Sequence, residues 1–308
     1  MSPDILAAIM VTIMTAATPL LLAAIGELVV ERSGVLNLGV EGMMIIGAVS
    51  GFAGAQITGS AYVGILFAVL AAMLLACFFA LLVLGMAANQ VATGLSITLL
   101  GLGLSGLIGQ AYIGIPGVQL PKLDITGISD LPVIGPILFS HDILVYASFG
   151  LTIAVYWFLF KSRAGLVLRA VGDNHSSAHS IGYNVLYVRF LAVLFGGACA
   201  GLAGAYLSLS YTLQWVEGMS AGRGWIALAL VVFASWRPLR VVAGAYLFGA
   251  VLILQFHAQA AGVAIPSQFL SALPYIATIL VLILISRNRK LVQSNTPACL
   301  GQPFVADK

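Results

Sequence analysis

Stretches of about 20 apolar residues recur from one end of this chain to the other, and nothing else restricts its fold so strongly, because a helix of that length crosses the hydrocarbon core of a bilayer. Nine segments qualify or nearly qualify: roughly 5–25, 36–57, 61–84, 91–110, 143–160, 189–210, 223–236, 241–257 and 269–286. The chain has 308 residues, 61% of them hydrophobic and 7% charged, and a mean hydropathy of +1.09. That is more apolar surface than one water-soluble core of this size can hide. The segments must be helices, since an isolated strand leaves its backbone groups unpaired in lipid, and the alternation of a membrane barrel is absent. The expected fold is therefore all-α, a polytopic membrane bundle of about nine transmembrane helices forming one domain over residues 1–290, with a tail over 291–308. The seventh segment is the weakest, its continuous run IALALVVFA from Ile226 being short enough to be re-entrant. The opening MSPDILAAIM lacks the basic flank of a secretory signal, so the first run is expected to remain as a span.

Basic residues orient the bundle, because they stay on the cytoplasmic side. With the N-terminus outside, nine crossings put Arg32, Lys161, Arg163, Arg169, Arg189, Arg237, Arg240, Arg287, Arg289, Lys290 and Lys308 inside, which is eleven of the thirteen Lys and Arg. Lys122 and Arg223 fall outside. Making the seventh segment re-entrant would move the Arg287–Lys290 cluster outside, so the charge rule favours a crossing. The C-terminus is then cytoplasmic, and the membrane is the plasma (inner) membrane. The outer loop 111–142 carries Pro116, Pro121, Pro132 and Pro136 and is irregular. It is either a connector or a docking surface.

The thirteen basic residues are scattered and the net charge is only +3, so nucleic acid is not an expected partner. Cys77 and Cys199 sit in apolar runs and Cys299 in the tail, with no spacing suited to a metal or a redox pair. Glycines are abundant, and the sets Gly101, Gly103, Gly106, Gly109 and Gly196, Gly197, Gly201, Gly204 form small faces that let helices pack closely in lipid. The stretch ERSGVLNLGVEGMMIIGA, Glu31–Ala48, is more pointed. Asn37 and Glu41 are four apart, hence on one helical face, and an ionisable Glu41 in or near the membrane is costly unless it is paired or faces a cavity. A second glycine-led segment, GMSAGRGWIALALVVFA from Gly218, crosses in the opposite sense. Two such segments in opposite halves suggest inverted repeats flanking a translocation path. Asn37 and Glu41 are the first candidates for that path, with Gln90 and Trp225 behind them. Helix packing is the alternative role for each.

The polar stretch RAGLVLRAVGDNHSSAHSIGYN, Arg163–Asn184, lies between two apolar runs with both ends inside. Asp173 and Asn174 are suited to cap a helix, Gly182 to stop it, and the intervening HSSAHSI forms about two turns. A helix so short and polar needs a partner, and a groove on a soluble subunit would hold it. His175 and His179 stand four apart, but no third metal ligand accompanies them on the loop, so they are expected on a solvated face.

The strings ERSGVLNLGVEGMMIIGA, RAVGDNHSSAHSIGYNV and GRGWIALALVVFASWRPL, in this order over roughly residues 26–290, resemble the permease subunits of bacterial ABC importers in the branched-chain amino acid and simple sugar class. The nucleoside-type group, which works with basic membrane lipoproteins, is the nearest. The resemblance implies that the loop 161–187 holds a coupling helix that docks on the ATPase, with Gly172, Asp173, Asn174 and Gly182 in the matching positions. The family commonly has Pro and an acidic residue after the Asn, and an Arg where His179 stands; here His175, Ser176 and Ser177 follow Asn174, which changes the individual contacts. The resemblance also implies a second permease subunit, often a longer paralogue, an extracytoplasmic solute-binding lipoprotein or periplasmic protein, and a nucleoside or similar small polar solute, with riboflavin and sugars open.

None of the four lysines follows a glycine, so the chain has no GxxxxGK[ST] phosphate-binding loop. It is expected to bind no cofactor, with ATP and Mg on a separate ATPase subunit, and to catalyse no reaction itself. A stand-alone ion-coupled transporter or channel, using Glu41 as a proton site, is the rival reading. An intramembrane enzyme is disfavoured, because His141 and His257 lie near the outer boundary and no aspartate is mid-span. The topology makes a direct prediction. Cysteines placed at Ile125 and Ser176, in a chain freed of its own, should react with an impermeant reagent from opposite faces of the membrane; labelling of both from one side contradicts the assignment.

Overall fold

In a computed structural model of the protein, residues 3–123, 139–260 and 295–305 are described, with isolated positions at 135 and between 269 and 283. Among the described residues there are ten α-helices: α1 (Pro3–Arg32), α2 (Val40–Thr58), α3 (Ala61–Ala80), α4 (Gln90–Gly109), α5 (Ile143–Lys161), α6 (Arg163–Asp173), α7 (His175–Ser180), α8 (Val185–Tyr206), α9 (Arg223–Phe233) and α10 (Pro238–Ala260). Pairing between extended residues is limited to isolated bridges such as Ile113 with Trp215 and Lys122 with Asp142. The all-helical expectation holds. Seven helices are long and apolar enough to cross a bilayer, α3 and α8 being lengthened by the π-helical turns Leu81–Gly85 and Leu207–Tyr211.

Two of the expected segments differ in form. The span expected from 36 begins as a helix only at Val40, and residues 33–39 are non-helical chain. The seventh segment is helical over 11 residues, about 16 Å at 1.5 Å per residue, half of what a bilayer core requires. It nevertheless crosses the bundle. Trp215 packs on Gly109 at the end of α4, while Trp236 bonds Glu31 at the end of α1, and those two helix ends lie on opposite sides. The first half of the crossing is irregular and the second half is α9. The ninth expected segment lies largely outside the described residues, as does most of the expected outer loop beyond Leu123.

Packing inverts the habit of a water-soluble protein. Along α3, Gly64, Ala68, Ala72 and Ala76 face inward while Leu66, Leu70, Leu74 and Phe78 are exposed. Between apolar helices in lipid the hydrophobic effect is lost, so close approach over small residues supplies the cohesion. The most enclosed helix is α2, which packs on α3, α4 and α8. The glycines that the sequence sets apart make these contacts: Gly201 meets Ala68 of α3, Gly204 meets Met44 of α2, and Gly101 of α4 meets Gly42 of α2.

One end of the bundle gathers the charge. The end of α1 with Arg32, the end of α5 with Lys161, α6 with Arg163 and Arg169, the start of α8 with Arg189, and the segment carrying Arg237 and Arg240 all lie there, together with the described tail. Helix α6 is amphipathic, burying Gly165, Leu168, Val171 and Gly172 and stacking Arg169 over the Phe160 ring at 5.2 Å.

The Gly42–Gly101 contact is testable against its own helix. A Cβ on Gly101 would lie 2.6 Å from Gly42 Cα, whereas one on Gly103 meets nothing within 4 Å. Gly101→Leu should destabilise the bundle by about 1–3 kcal/mol, seen as a lower melting temperature in detergent, and Gly103→Leu should melt like the native chain.

Candidate functional site

Non-helical backbone inside an apolar bundle has no water to bond, so other groups must supply partners. Residues 33–39 show how this is done. The Leu36 N–H donates to Gln90 Oε1 at 2.8 Å, and the Asn37 N–H to Glu27 Oε1 at 3.2 Å. The Gly39 N–H donates to Asn37 Oδ1 at 2.9 Å, and the Leu38 carbonyl accepts from Thr98 Oγ1 at 3.0 Å. Four side chains therefore hold open a break between α1 and α2. Asn37 precedes the helix, so it does not share a helical face with Glu41, and the four-residue spacing has another meaning: Asn37 braces the turn that delivers Glu41. Glu27 Oε2 and Gln90 Nε2 remain buried with no hydrogen-bond partner among the described residues.

Glu41 stands in the first turn of α2 and is 4% exposed. Its Oε1 accepts from the Gly222 N–H at 2.8 Å and its Oε2 from the Gly224 N–H at 2.6 Å. These are the orphan donors at the start of α9, which no side chain of its own N-cap, Gly222, can satisfy. One carboxylate thus sits at the positive ends of two helices, its own and α9. The two glycine-led segments singled out by sequence meet at this point. Gly224 must be a glycine, because a Cβ there would lie 2.6 Å from Glu41 N and Cα.

The far end of α9 is tied to α1 in a second polar joint. Trp236 Nε1 donates to Glu31 Oε2 at 2.6 Å, and the Arg32 guanidinium donates to the Trp236 carbonyl through Nη2 at 3.1 Å. Ser235 and Trp236 have φ of 49° and 54°, a left-handed conformation that costs a non-glycine residue about 1–2 kcal/mol. The two bonds to α1 hold the chain there.

At the charged end, the loop forms the expected short helix. Asn174 is its N-cap, with Oδ1 accepting from the Ser177 N–H at 2.9 Å, and Gly182 closes it at φ +95° with its N–H donating to the His179 carbonyl at 2.9 Å. Asp173 instead ends α6, and Gly172 packs on the Arg32 and Gly34 backbone. Ile181 and Tyr183 project outward, 72% and 42% exposed. The His175–His179 face is not simply solvated: both rings lie edge-on to Phe304 of the tail, at centroid distances of 5.2 and 5.4 Å. Burial first, and the Arg189 guanidinium second, hold the His175 pKa below its ordinary value. His175 Nδ1 therefore stays able to accept from Arg189 Nη2, 3.2 Å away.

Of the path candidates, the structure brings Asn37, Glu41 and Gln90 to the same break, all buried, while Trp225 lies on the surface of the chain, 49% exposed. Sequence reading passed over Glu27, Glu31, Arg189 and Trp236. The signal present was charge: Glu27 and Glu31 are acidic residues four apart at the end of an apolar run, and Arg189 opens another.

A bundle whose crossing segments break around a buried carboxylate has the construction of a membrane transporter. The profile of the family described as branched-chain amino acid transport system / permease component matches residues 9–285. The chain is similar to the putative glucose ABC transporter permease of Haloferax volcanii, 40% identical with 94% of each chain covered. It is 32% identical to the guanosine ABC transporter permease of Bacillus subtilis, over 99% of this chain and 98% of that one. It is also 32% identical to the nucleoside ABC transporter permease of Lactococcus lactis, over 87% of this chain and 88% of that one. No solved structure matches the chain. The chain belongs to the branched-chain amino acid transport permease family, as an ABC transporter permease subunit of the multi-pass membrane class.

Glu41→Ala leaves two N–H groups at the start of α9 without a partner and should cost about 1–3 kcal/mol, read as a depressed melting temperature in detergent. Glu41→Gln, which keeps an acceptor, should lose less, and Trp225→Phe should leave melting unchanged.

Proposed function

We propose that this permease subunit imports a nucleoside-type solute, driven by ATP hydrolysed on a separate subunit that docks on α7. The observation that carries the reading is α7 itself: a six-residue capped helix outside the main core, followed by the exposed Ile181 and Tyr183, at the end where basic residues gather. That end is cytoplasmic by the charge rule, which places the N-terminus outside. The chain has no phosphate-binding loop, so the ATPase is another polypeptide carrying ATP and Mg.

Closure of two ATPase subunits moves α7, and the bundle shifts between outward and inward openings. Two features support Asn37, Glu41 and Gln90 as lining or controlling the path. They lie at the break before α2, where Glu41 also bonds the start of α9, and Gln90 Nε2 is a buried donor without a partner among the described residues. A solute bearing hydroxyls and ring nitrogens has the acceptors to meet such donors. One chain lines half of a path, so a second permease subunit completes it. The solute arrives from a binding protein at the opposite end, where Gly117 and Leu120 bond the carbonyls of Leu213 and Leu209 and order the start of the outer loop.

The guanosine and nucleoside permeases among the relatives favour a nucleoside. The glucose permease relative supports a second reading, in which the solute is a sugar. Uptake in proteoliposomes holding the chain, its companion permease, the ATPase and the binding protein distinguishes them: labelled nucleoside should accumulate only with ATP inside the cell-side compartment, and glucose in excess should not compete. Uptake by the chain alone on an ion gradient would instead establish the stand-alone transporter. Gly182→Leu, strained at positive φ but meeting no neighbour, should reduce co-purification of the ATPase while the chain still inserts.

A further inference from the structure

Six residues do not sustain a helix alone, and the only buried side chain of α7 is Ala178. It is held by a small apolar cluster apart from the main core, made of Val171 of α6, Ala178 of α7 and Val185 of α8, against which Phe304 of the C-terminal segment packs. The same segment makes further contacts on either side. The Cys299 N–H donates to the Gly172 carbonyl at 2.9 Å, and the Gly301 N–H to the Gly34 carbonyl at 3.1 Å. Cys299 Sγ lies 3.5 Å from the Asp173 carbonyl oxygen. One edge of the segment therefore holds the α6–α7 junction, and the other holds the turn between α1 and α2.

Arg189 locks this arrangement from inside. Its side chain is fully buried, and its guanidinium donates to the Ser33 carbonyl through Nε at 3.1 Å and to the Gln302 carbonyl through Nη1 at 3.1 Å. The third contact is His175, the first residue of α7. One planar cation thus joins the turn, the tail and the short helix. Its fixed fork makes it a stiffer joint than a lysine would be.

We propose that residues 297–305 form a strap that ties α7 to the α1–α2 turn, so that displacement of α7 is passed to the starts of α2 and α9. The route is continuous in contacts: Gly172 to Cys299, Gly301 to Gly34, then along the braced residues 33–39 to Glu41, whose carboxylate holds Gly222 and Gly224. Without the strap, the α6–α7 junction meets the turn where Gly172 lies against the Arg32 and Gly34 backbone and through the Arg189 side chain, which then loses its Gln302 partner. The inference rests on α7 being the docking point of the ATPase. It assigns to the tail a different task, transmission and not docking, because the tail's backbone bonds run to Gly172 and Gly34, whereas Ile181, the most exposed apolar side chain beside α7, stands free of it.

The test uses the complete transporter in liposomes, comparing the native chain with one lacking residues 297–308. The truncated chain should still co-purify its ATPase, and hydrolysis should stay near the native rate, while solute moved per ATP falls about fivefold or more, the lower end of usual coupling strengths. Native stoichiometry of transport in the truncated chain would overturn the strap. Loss of the ATPase on truncation would also overturn it, by making the tail a docking element, while leaving the functional reading intact. Failure of the native chain to hold an ATPase at all would refute that reading instead. If the truncated chain does not accumulate, Phe304→Ala removes one ring and keeps the backbone strap, and a smaller loss of the same ratio is expected; an unchanged ratio counts against the proposal. Arg189→Lys, which keeps the charge but not the fork, should show the same split.

Discussion

An unpaired backbone in a medium without water sets the terms for the rest of this structure. Two crossing segments abandon the helix inside the bundle, and each exposed N–H there must find an acceptor or carry a desolvation cost of about 1–3 kcal/mol. Glu41 meets two of those donors with one side chain, and the positive ends of α2 and α9 offset the cost of burying its charge. The arrangement couples the two helices: neither can turn or slide without disturbing the acceptor of the other. Asn37, Gln90, Thr98 and Glu27 serve the same need around residues 33–39. Many polar residues in this bundle lie where the backbone breaks, and helix α3 carries little polarity between its ends.

That concentration explains what sequence could and could not show. The long apolar helices were legible because hydrophobic length is local information, and so was α7, since Asn174 and Gly182 are adjacent to what they cap and stop. The two glycine-led stretches stood out for their composition. Their meeting did not follow from it, because the Glu41–Gly222 bond joins residues 181 positions apart. The start of α2 was misplaced for a related reason: Leu36 and Leu38 are as apolar as the helix that follows, and only the acceptors of Gln90 and Glu27, elsewhere in the chain, make a non-helical path there affordable. Arg189 reads from sequence as one more cytoplasmic charge, and residues 291–308 as a cytoplasmic tail. Their roles exist only in contacts with Ser33, His175 and Gly172.

The polar joints fall at two levels. Near the charged end, Glu31 and Arg32 grip Trp236, and Arg189 grips Ser33. Deeper in the bundle, Glu41 grips the start of α9. Helix α9 spans the interval between them, rigid and short, with left-handed residues at one end and an αL glycine at the other. A rigid rod held at each end by a pair of polar contacts can exchange one set of partners for another without unfolding, whereas a continuous 20-residue helix packed over glycine faces resists any such shift. The break shortens the element that would move in the proposed cycle.

In the proposed cycle the chain receives work through α7 at its surface, and work is lost wherever the structure yields. The surface element α7 is small and the proposed path element around Glu41 is interrupted, so both ends of the proposed transmission are intrinsically soft. What lies between them is the opposite: a fully buried guanidinium with three partners, a turn braced by four side chains, and a carboxylate shared by two helix starts. Stiffness has been placed between two compliant ends, which is the distribution a lever requires. A chain that merely anchored its loop would have no reason to connect the loop to the turn that carries Glu41.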